Sequence, residues 1–356
     1  MDPPTLDAID RKLLNLVQMQ FPLTAHPYHA LGEKLGIPGE EVLTRIRRLK
    51  QASIIRNIAA IFDTRRLGYQ TSLVAMTVEP SRLDQAAKVV NKHPGVSHNY
   101  ARNHTFNLWY TIALPPGTSL EETVERLRKL SGGESARPLP TLKLFKIGVK
   151  LEMEEEKSPD TEKREDGKTI FPDGRAPQAV SLSDADIAAI CELQTDLTLD
   201  ESPFAESAKK LGMSEESLIQ LAERFKETGL LRRYAAVLYH RNAGFVANGM
   251  GVWKVAPSQI QEVGLQASAF PQVSHCYERP TYSDWPYSLF TMVHSRTVEE
   301  CDKLMKTISE KIGISDYSVL YSTKEYKKVR IKYFSPEFDA WEKEYGLAAG
   351  FHPIPD

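Results

Sequence analysis

Apolar positions near the start of the chain fall into three helical stripes. Ile9, Leu13, Leu14 and Val17 share one face, Tyr28 to Lys34 carries a second stripe, and Val42, Leu43, Ile46 and Leu49 point inward from Glu40 to Lys50. A Leu35-Gly36 turn separates the second stripe from the third, and the apolar segment Ile54 to Phe62 follows as a strand. Three helices and a strand in this order predict a winged helix-turn-helix. The period then changes. Thr71 to Val78 alternates as a strand, Leu83 to Asn91 is helical, Val96 to Arg102 and Phe106 to Leu114 form a hairpin, and Leu120 to Leu130 is helical. Leu142 to Leu151 reads as the strand that closes the sheet. This βαββαβ order predicts a ferredoxin-like module, an antiparallel sheet with helices on one face and the other face free to meet a partner sheet or a ligand.

The whole pattern then repeats. Asp10, Gln18, Pro27, Lys34-Leu35-Gly36, Arg48, Arg56, Ala59-Ala60 and Gly68 meet Asp186, Gln194, Pro203, Lys210-Leu211-Gly212, Arg224, Arg232, Ala235-Ala236 and Gly244 at one constant displacement. The second helix-turn-helix runs over Ala185 to Tyr239. The second ferredoxin-like module follows over Ala247 to Val255, Ser258 to Ala267, Val273 to Arg279, Tyr287 to His294, Val298 to Ile312 and Ser318 to Tyr333. A period this long denotes a duplicated domain pair rather than a solenoid, packed about an approximate two-fold axis. The predicted class is α+β, a duplicated winged helix-turn-helix plus ferredoxin-like module with pseudo-two-fold symmetry. The expected segments are 1–62 and 181–239 for the helix-turn-helix modules and 63–152 and 240–340 for the ferredoxin-like domains. A charged linker, rich in Glu, Lys, Asp, Pro and Gly, spans 153–180, and a tail spans 341–356. What would otherwise be a dimer is written as one chain, with further association left open.

Composition narrows the function classes. At 356 residues, 26% charged and 41% hydrophobic, this is an ordinary globular chain, and its net charge of −2 gives no overall pull toward nucleic acid or anionic membrane. No apolar run approaches a membrane span and the N-terminus carries no basic and hydrophobic signal, which points to the cytosol. Cys191, Cys276 and Cys301 are too few and too scattered for a disulfide framework, a zinc cluster, an iron–sulfur site or a covalent haem attachment. A metal would have to arrive through histidine or inside a ligand.

The most specific chemistry lies in one strand of each copy. Val96-Ser97-His98-Asn99-Tyr100-Ala101-Arg102 returns as Val273-Ser274-His275-Cys276-Tyr277-Glu278-Arg279. A folding constraint would preserve apolar residues; here a His, a Tyr and an Arg at alternate positions survive divergence, and period two puts each trio on one strand face. The adjoining segments differ. Copy one has His104 where copy two has Thr281, and the segments then diverge, copy one carrying Asn107 and Trp109 and copy two Trp285 and Tyr287, so related but unequal aromatic-lined pockets are expected. In the last strand of copy two, Lys324, Tyr326, Lys328, Arg330 and Lys332 are expected on one face, with Lys327 and Arg296 near them, a stripe suited to either a solvated edge or the clamping of carboxylates.

A helix-turn-helix followed by a ferredoxin-like module resembles the Lrp/AsnC family of transcription regulators. The resemblance rests on Leu6-Asp7-Ala8-Ile9-Asp10-Arg11-Lys12-Leu13-Leu14, Leu35-Gly36-Ile37 and Arg45-Ile46-Arg47-Arg48-Leu49-Lys50, and it implies DNA binding. The recognition helices argue against that reading: they begin Gly39-Glu40-Glu41 and Ser214-Glu215-Glu216, placing carboxylates where phosphates would lie. Arg45, Arg47, Arg48 and Lys50 restore a basic face only in copy one, since copy two keeps just Arg224 and Lys226.

His93-Pro94-Gly95-Val96-Ser97-His98-Asn99-Tyr100 with Asn107-Leu108-Trp109, and Val273 to Pro280 with Trp285-Pro286-Tyr287, closely resemble the siroheme decarboxylases. Those enzymes share the Lrp/AsnC architecture and usually consist of two related subunits; this chain looks like both fused. The resemblance covers nearly everything except the linker. It implies loss of carbon dioxide from the acetates at positions 12 and 18 of siroheme, giving 12,18-didecarboxysiroheme for haem or haem d1 synthesis, with no separate cofactor because the iron belongs to the substrate. His98 and His275 are then the candidates for axial ligand and acid, with Tyr100 and Tyr277 as donors or proton relays. Arg102, Arg279, His104, Asn107, Trp109, Trp285, Tyr287, Lys324, Lys328 and Arg330 are the candidate substrate contacts. A DNA-binding regulator and a non-catalytic haem sensor remain the alternatives.

Overall fold

The computed structural model describes residues 6–147, 169–170, 178–238, 247–295 and 297–346. In chain order its elements are α1 (Ala8–Met19), α2 (Pro27–Leu35), α3 (Gly39–Gln51), β1 (Ile55–Phe62), β2 (Gln70–Thr77), α4 (Leu83–Asn91), β3 (Val96–Arg102) and β4 (Leu108–Leu114). Then come α5 (Leu120–Ser131), β5 (Ser135–Pro140), β6 (Lys143–Ile147), β7 (Thr169–Ile170), α6 (Asp184–Leu193), α7 (Ala205–Lys210), α8 (Glu215–Glu227) and β8 (Leu231–Leu238). The chain continues with β9 (Ala247–Trp253), α9 (Ile260–Ser268), β10 (Val273–Glu278), β11 (Leu289–Ser295), α10 (Val298–Ile312), β12 (Tyr317–Lys328) and α11 (Pro336–Tyr345). The described residues form two compact units that gather like with like: 6–68 with 178–238, and 69–147 with 169–170, 247–295 and 297–346.

The first unit holds both helix-turn-helix modules. Asp7 caps α1 by accepting from Asp10 N, and Asp10 returns the bond to Asp7 N, which sets the start of the helix. Gly36 ends α2 at φ 70° and Gly212 repeats that conformation at φ 66°, so the turn before each recognition helix needs a left-handed residue. The strand after each third helix does not stand alone as a wing. β1 pairs antiparallel with β8, Ala59 opposite Ala235 and Phe62 opposite Leu231, which ties the two modules into one body.

The second unit holds both ferredoxin-like modules in one sheet of order β5-β2-β4-β3-β12-β9-β11-β10-β6-β7. One expectation is corrected here. The strand that completes the first module is β5, paired with β2, whereas β6, within the segment expected to close that sheet, pairs with β10 of the second module. β12 does the reciprocal: Tyr317–Tyr321 pair with β9 and Ser322–Lys328 with β3. Since β5 and β6 are successive stretches of one chain, both sides of the strand order return to the same segment and the sheet curls round on itself.

Three cores follow from the alternation along these strands. On the outer face α4 and α5 cover Val74, Met76, Val96, Tyr110 and Ile112, and α9 and α10 cover Trp253, Val273, Cys276 and Val293. The inner, helix-free face buries Ala75, Phe106, Trp109, Leu139, Met250, Val252, Trp285, Phe290 and Leu320 from both copies. The expected tail at 341–356 begins inside α11, where buried Trp341 joins the core of the first copy and Glu342 pairs with Arg126 at 2.9 Å. Residues 347–356 and most of the expected linker lie outside the described residues, although Thr169–Ile170 pair with β6 and Val180 N donates to Arg66 O. No helix among the described residues is long and apolar enough to cross a membrane.

Candidate active site

Both His-Tyr-Arg rows sit on the inner face of the sheet. Their alternating neighbours show this: Asn99 Nδ2 donates to Ala87 O and Asn91 Oδ1 of α4, and Cys276 lies in the core beneath α9, so the trios point the other way. Each strand carries a β-bulge at the same place, between Val96 and His98 and between Val273 and His275. The extra residue is Ser97 or Ser274, whose hydroxyl lies 2.9 Å from Nδ1 of the following histidine in both copies. His98 and Tyr100 rings stack 6.3 Å apart, and His275 and Tyr277 lie 5.9 Å apart. Arg279 covers the Tyr277 ring at 4.9 Å, and Arg102 the Tyr100 ring at 5.9 Å.

The arginines are the electrostatic core of the site. Arg102 is 7% and Arg279 9% exposed. Arg102 Nη1 donates to Leu320 O of β12 at 2.8 Å, and Arg279 Nη1 donates to Leu139 O of β5, so each arginine reaches a strand contributed by the other copy. Arg102 has no carboxylate partner among the described residues, and its Nε has no hydrogen-bond acceptor. Burial pushes this guanidinium down to about 10, with the Tyr100 phenol opposing the shift. A cation kept in such surroundings is stabilised by an incoming anion.

His275, His104 and Tyr100 are held toward their neutral forms. Burial lowers His275 to about 4, helped by His294 and Arg279. It also lowers His104, and it raises Tyr100 to about 12 with the help of Glu325. His104 stacks parallel to Phe106 and meets the Trp285 edge at 5.4 Å, which brings copy-one and copy-two residues together. Its Nδ1 accepts from Phe106 N at 3.0 Å.

Several expected contacts are placed differently. Trp109 is 1% and Trp285 0% exposed; with Phe106, Tyr287 and Phe290 they form an edge-packed aromatic core that floors the site instead of presenting open faces. Tyr287 is half-buried against Trp285. Asn107 has both amide atoms committed to the backbone of Val78, so it fastens β2 and offers nothing to a ligand. The basic stripe is broken up by two bulges in β12, between Ser322 and Lys324 and between Glu325 and Lys327. Lys324 and Tyr326 consequently turn outward to Asp84 of α4, and Lys327 to Asn91 O. Lys328 stays opposite His98, and Arg330 lies exposed beyond the strand. Arg296 lies outside the described residues.

The same bulges bring in residues that period two concealed. Glu325 stands opposite Tyr100, whereas Leu144 holds the matching place opposite Tyr277. In copy two, Ser274 Oγ also lies 2.9 Å from His294 Nε2, and His294 Nδ1 lies 2.6 Å from Asn248 Oδ1. The serines were visible in the repeat itself; His294 and Glu325 had no repeated partner to draw attention to them.

In the first unit the basic face of α3 is spent internally. Arg45 binds Asp7, Asp10 and Glu41, Arg48 binds Asp10, Lys50 binds Asp196, and Arg47 donates to Leu199 O. Arg224 is held by Asp186 and Lys226 by Glu223. Cations so engaged are poorly placed to neutralise phosphates.

Comparison with known proteins agrees with this division. Residues 66–146 and 242–327 match the AsnC-like ligand binding domain, and residues 10–56 and 186–232 match the siroheme decarboxylase NirDL-like HTH domain. A siroheme decarboxylase from Hydrogenobacter thermophilus is 43% identical over 334 residues, 94% of this chain and 97% of that protein. The chain belongs to the siroheme decarboxylase family. A crystal structure of the siroheme decarboxylase NirDL is similar with a TM-score of 0.77 at 37% identity, covering 96% of this chain and 99% of that one. A second, in co-complex with an iron-uroporphyrin III analogue, gives a TM-score of 0.76 at 36% identity, covering 95% of this chain and 99% of that one. A siroheme decarboxylase beta subunit from Methanosarcina barkeri is 44% identical over 147 residues, 41% of this chain and 97% of that subunit. What this relative has as a separate subunit is here one part of a fused, duplicated chain.

Proposed function

We propose that this chain is a carboxy-lyase that removes carbon dioxide from the acetates at positions 12 and 18 of siroheme, giving 12,18-didecarboxysiroheme. The observation that carries the reading is the pair of half-buried His-Tyr rows on the helix-free face, each ending in a buried arginine, with Arg102 lacking a carboxylate partner among the described residues. Siroheme is a polycarboxylate, and a buried guanidinium is the partner that such a ligand lacks in water.

The arginines orient carboxylates that do not react. Gripping the departing carboxylate would stabilise the ground state and slow its loss. In each decarboxylation the bond between the methylene and the carboxylate breaks and carbon dioxide leaves. The electron pair passes into the pyrrole, whose adjacent carbon takes up a proton, and the side chain ends as a methyl group after one net proton is gained. The step is redox-neutral and needs no cofactor beyond the substrate. Tyr100 keeps its proton at neutral pH and can donate or relay it. His275 is uncharged there, the state in which imidazole binds iron. The aromatic floor of Trp109, Phe106 and Trp285 excludes water from below.

His98→Ala and His275→Ala should both keep the fold while losing turnover or altering the spectrum of bound siroheme. Unchanged rate and spectrum in both variants would remove the site assignment. A DNA-reading role finds no support in the first unit, where the basic side chains of α3 are already engaged.

A further inference from the structure

The two rows look alike, yet the hydrogen bonds behind them differ in direction. Neutral imidazole carries hydrogen on one nitrogen only, and which one is set by the partners of the other. Asn248 Oδ1 can only accept, so at 2.6 Å His294 Nδ1 is the donor, and in the neutral form of His294 its Nε2 is then the acceptor. Ser274 has one hydroxyl hydrogen and three acceptors in reach, His294 Nε2 and His275 Nδ1 at 2.9 Å and Met292 O at 3.2 Å; it goes to His294 Nε2, whose lone pair would otherwise meet the lone pairs of the hydroxyl. With the hydrogen held there, only lone pairs face His275 Nδ1 at 2.9 Å, whereas without His294 the hydroxyl is free to turn and donate to that nitrogen. That nitrogen must therefore carry the hydrogen, and His275 Nε2 is left bare.

Copy one does not repeat this chain. Aligning the paired strands, Thr291 opposite Cys276 with Tyr110 opposite Asn99, puts Ala113 where copy two has His294 and Thr71 where it has Asn248. The Ser97 hydroxyl thus has no imidazole behind it from that position. Copy one has instead the Glu325 carboxylate beside Tyr100, where copy two has Leu144.

We propose that His294 and Asn248 are positioning residues that act through Ser274 to hold His275 in its Nδ1–H form, assigning His275 Nε2 as the ligand of the substrate iron. Proton delivery then falls to the row of His98, Tyr100 and Glu325. The iron part of this assignment rests on the siroheme reading; the tautomer does not. A metal-binding histidine whose second nitrogen donates to an oriented acceptor is a more basic and better-aimed ligand.

The test reads the tautomer first, in the intact chain without substrate. Long-range proton–nitrogen correlation on chain labelled with nitrogen-15 histidine identifies His275 by its absence from His275→Gln. The expected result is hydrogen on Nδ1, shifting to Nε2 in His294→Ala and Asn248→Leu and retained in Asn248→Asp, which keeps an accepting oxygen. Hydrogen on Nε2 in the unsubstituted chain, or the same tautomer in His294→Ala, overturns the relay. With siroheme added anaerobically, His294→Ala should weaken siroheme binding by roughly 10- to 100-fold and shift the iron–histidine band to lower frequency. An unchanged band and affinity overturn the ligand assignment. Absence of any spectral response to siroheme in the unsubstituted chain defeats the siroheme reading instead, and leaves the tautomer result standing on its own.

Discussion

Replacing Arg102 by Met separates the stability of this fold from its binding. The guanidinium is 7% exposed, faces no carboxylate among the described residues, and is pushed by burial from 12.5 down to about 10. That displacement corresponds to roughly 3 kcal/mol by which the empty site disfavours the charged form. Against it stands the bond from Nη1 to Leu320 O at 2.8 Å. Its loss costs about 1 kcal/mol. Methionine fills a similar volume beside Tyr100 without a buried charge, and such replacements are commonly neutral or stabilising. The ligand-free Arg102→Met chain should therefore be as stable as the parent or up to about 2 kcal/mol more stable, read as thermal midpoint and denaturant midpoint together. Binding should move the other way. Removing the partner of a buried carboxylate costs about 2–5 kcal/mol, roughly 30- to several-thousand-fold in siroheme affinity by anaerobic titration. A clear loss of stability with siroheme affinity unchanged would show that Arg102 is a structural strut, and the reasoning would fail.

Two more outcomes follow from buried groups elsewhere. His93 lies under Trp341 at 4.4 Å and is pushed down to about 3 by burial, with Lys327 and Arg126 adding to the shift. Between that value and 6.5 the unfolded chain binds a proton that the folded chain refuses, so stability is full above pH 6.5 and falls as pH drops, by up to about 5 kcal/mol. His93→Phe, the residue found at the matching Phe270, should move the acid-unfolding midpoint to lower pH; a midpoint that stays put would contradict the burial argument. Gly264 of α9 has room for no side chain, because a Cβ there would lie 2.4 Å from the Phe145 ring of β6. Gly264→Ala should cost about 1–3 kcal/mol, recovered largely in Gly264→Ala with Phe145→Leu, and full additivity of the two losses by denaturant unfolding would argue that β6 does not pack on α9.

Local signals in the chain carry much of the fold. Leu83 to Asn91 is read from its apolar spacing alone and is the observed α4, and the strands bearing the two rows run as their alternation implies. Pairing across the copies was not legible, because period two tells which face a strand buries and not which strand lies beside it. Pro138 and Pro140 also hide β5, and the chain between it and β6 breaks at Thr141 and Leu142. Within the site, duplication exposes His, Tyr and Arg because both copies keep them. A bulge has no sequence signature, so the two in β12 send Lys324 outward and Glu325 inward against simple alternation. Asn107 reads as a polar residue beside an active strand, and only its two bonds to Val78 reveal its structural role. His294 occurs in one copy alone, where repetition cannot flag it.

The most direct measurement is anaerobic incubation of the purified full chain with siroheme, followed by mass analysis of the recovered tetrapyrrole. The expected product has lost two carboxyl groups as carbon dioxide with the iron and the remaining side chains unchanged. Siroheme recovered at its original mass, with only a displaced absorption band to mark its binding, would contradict catalysis and leave a protein that holds the macrocycle without changing it.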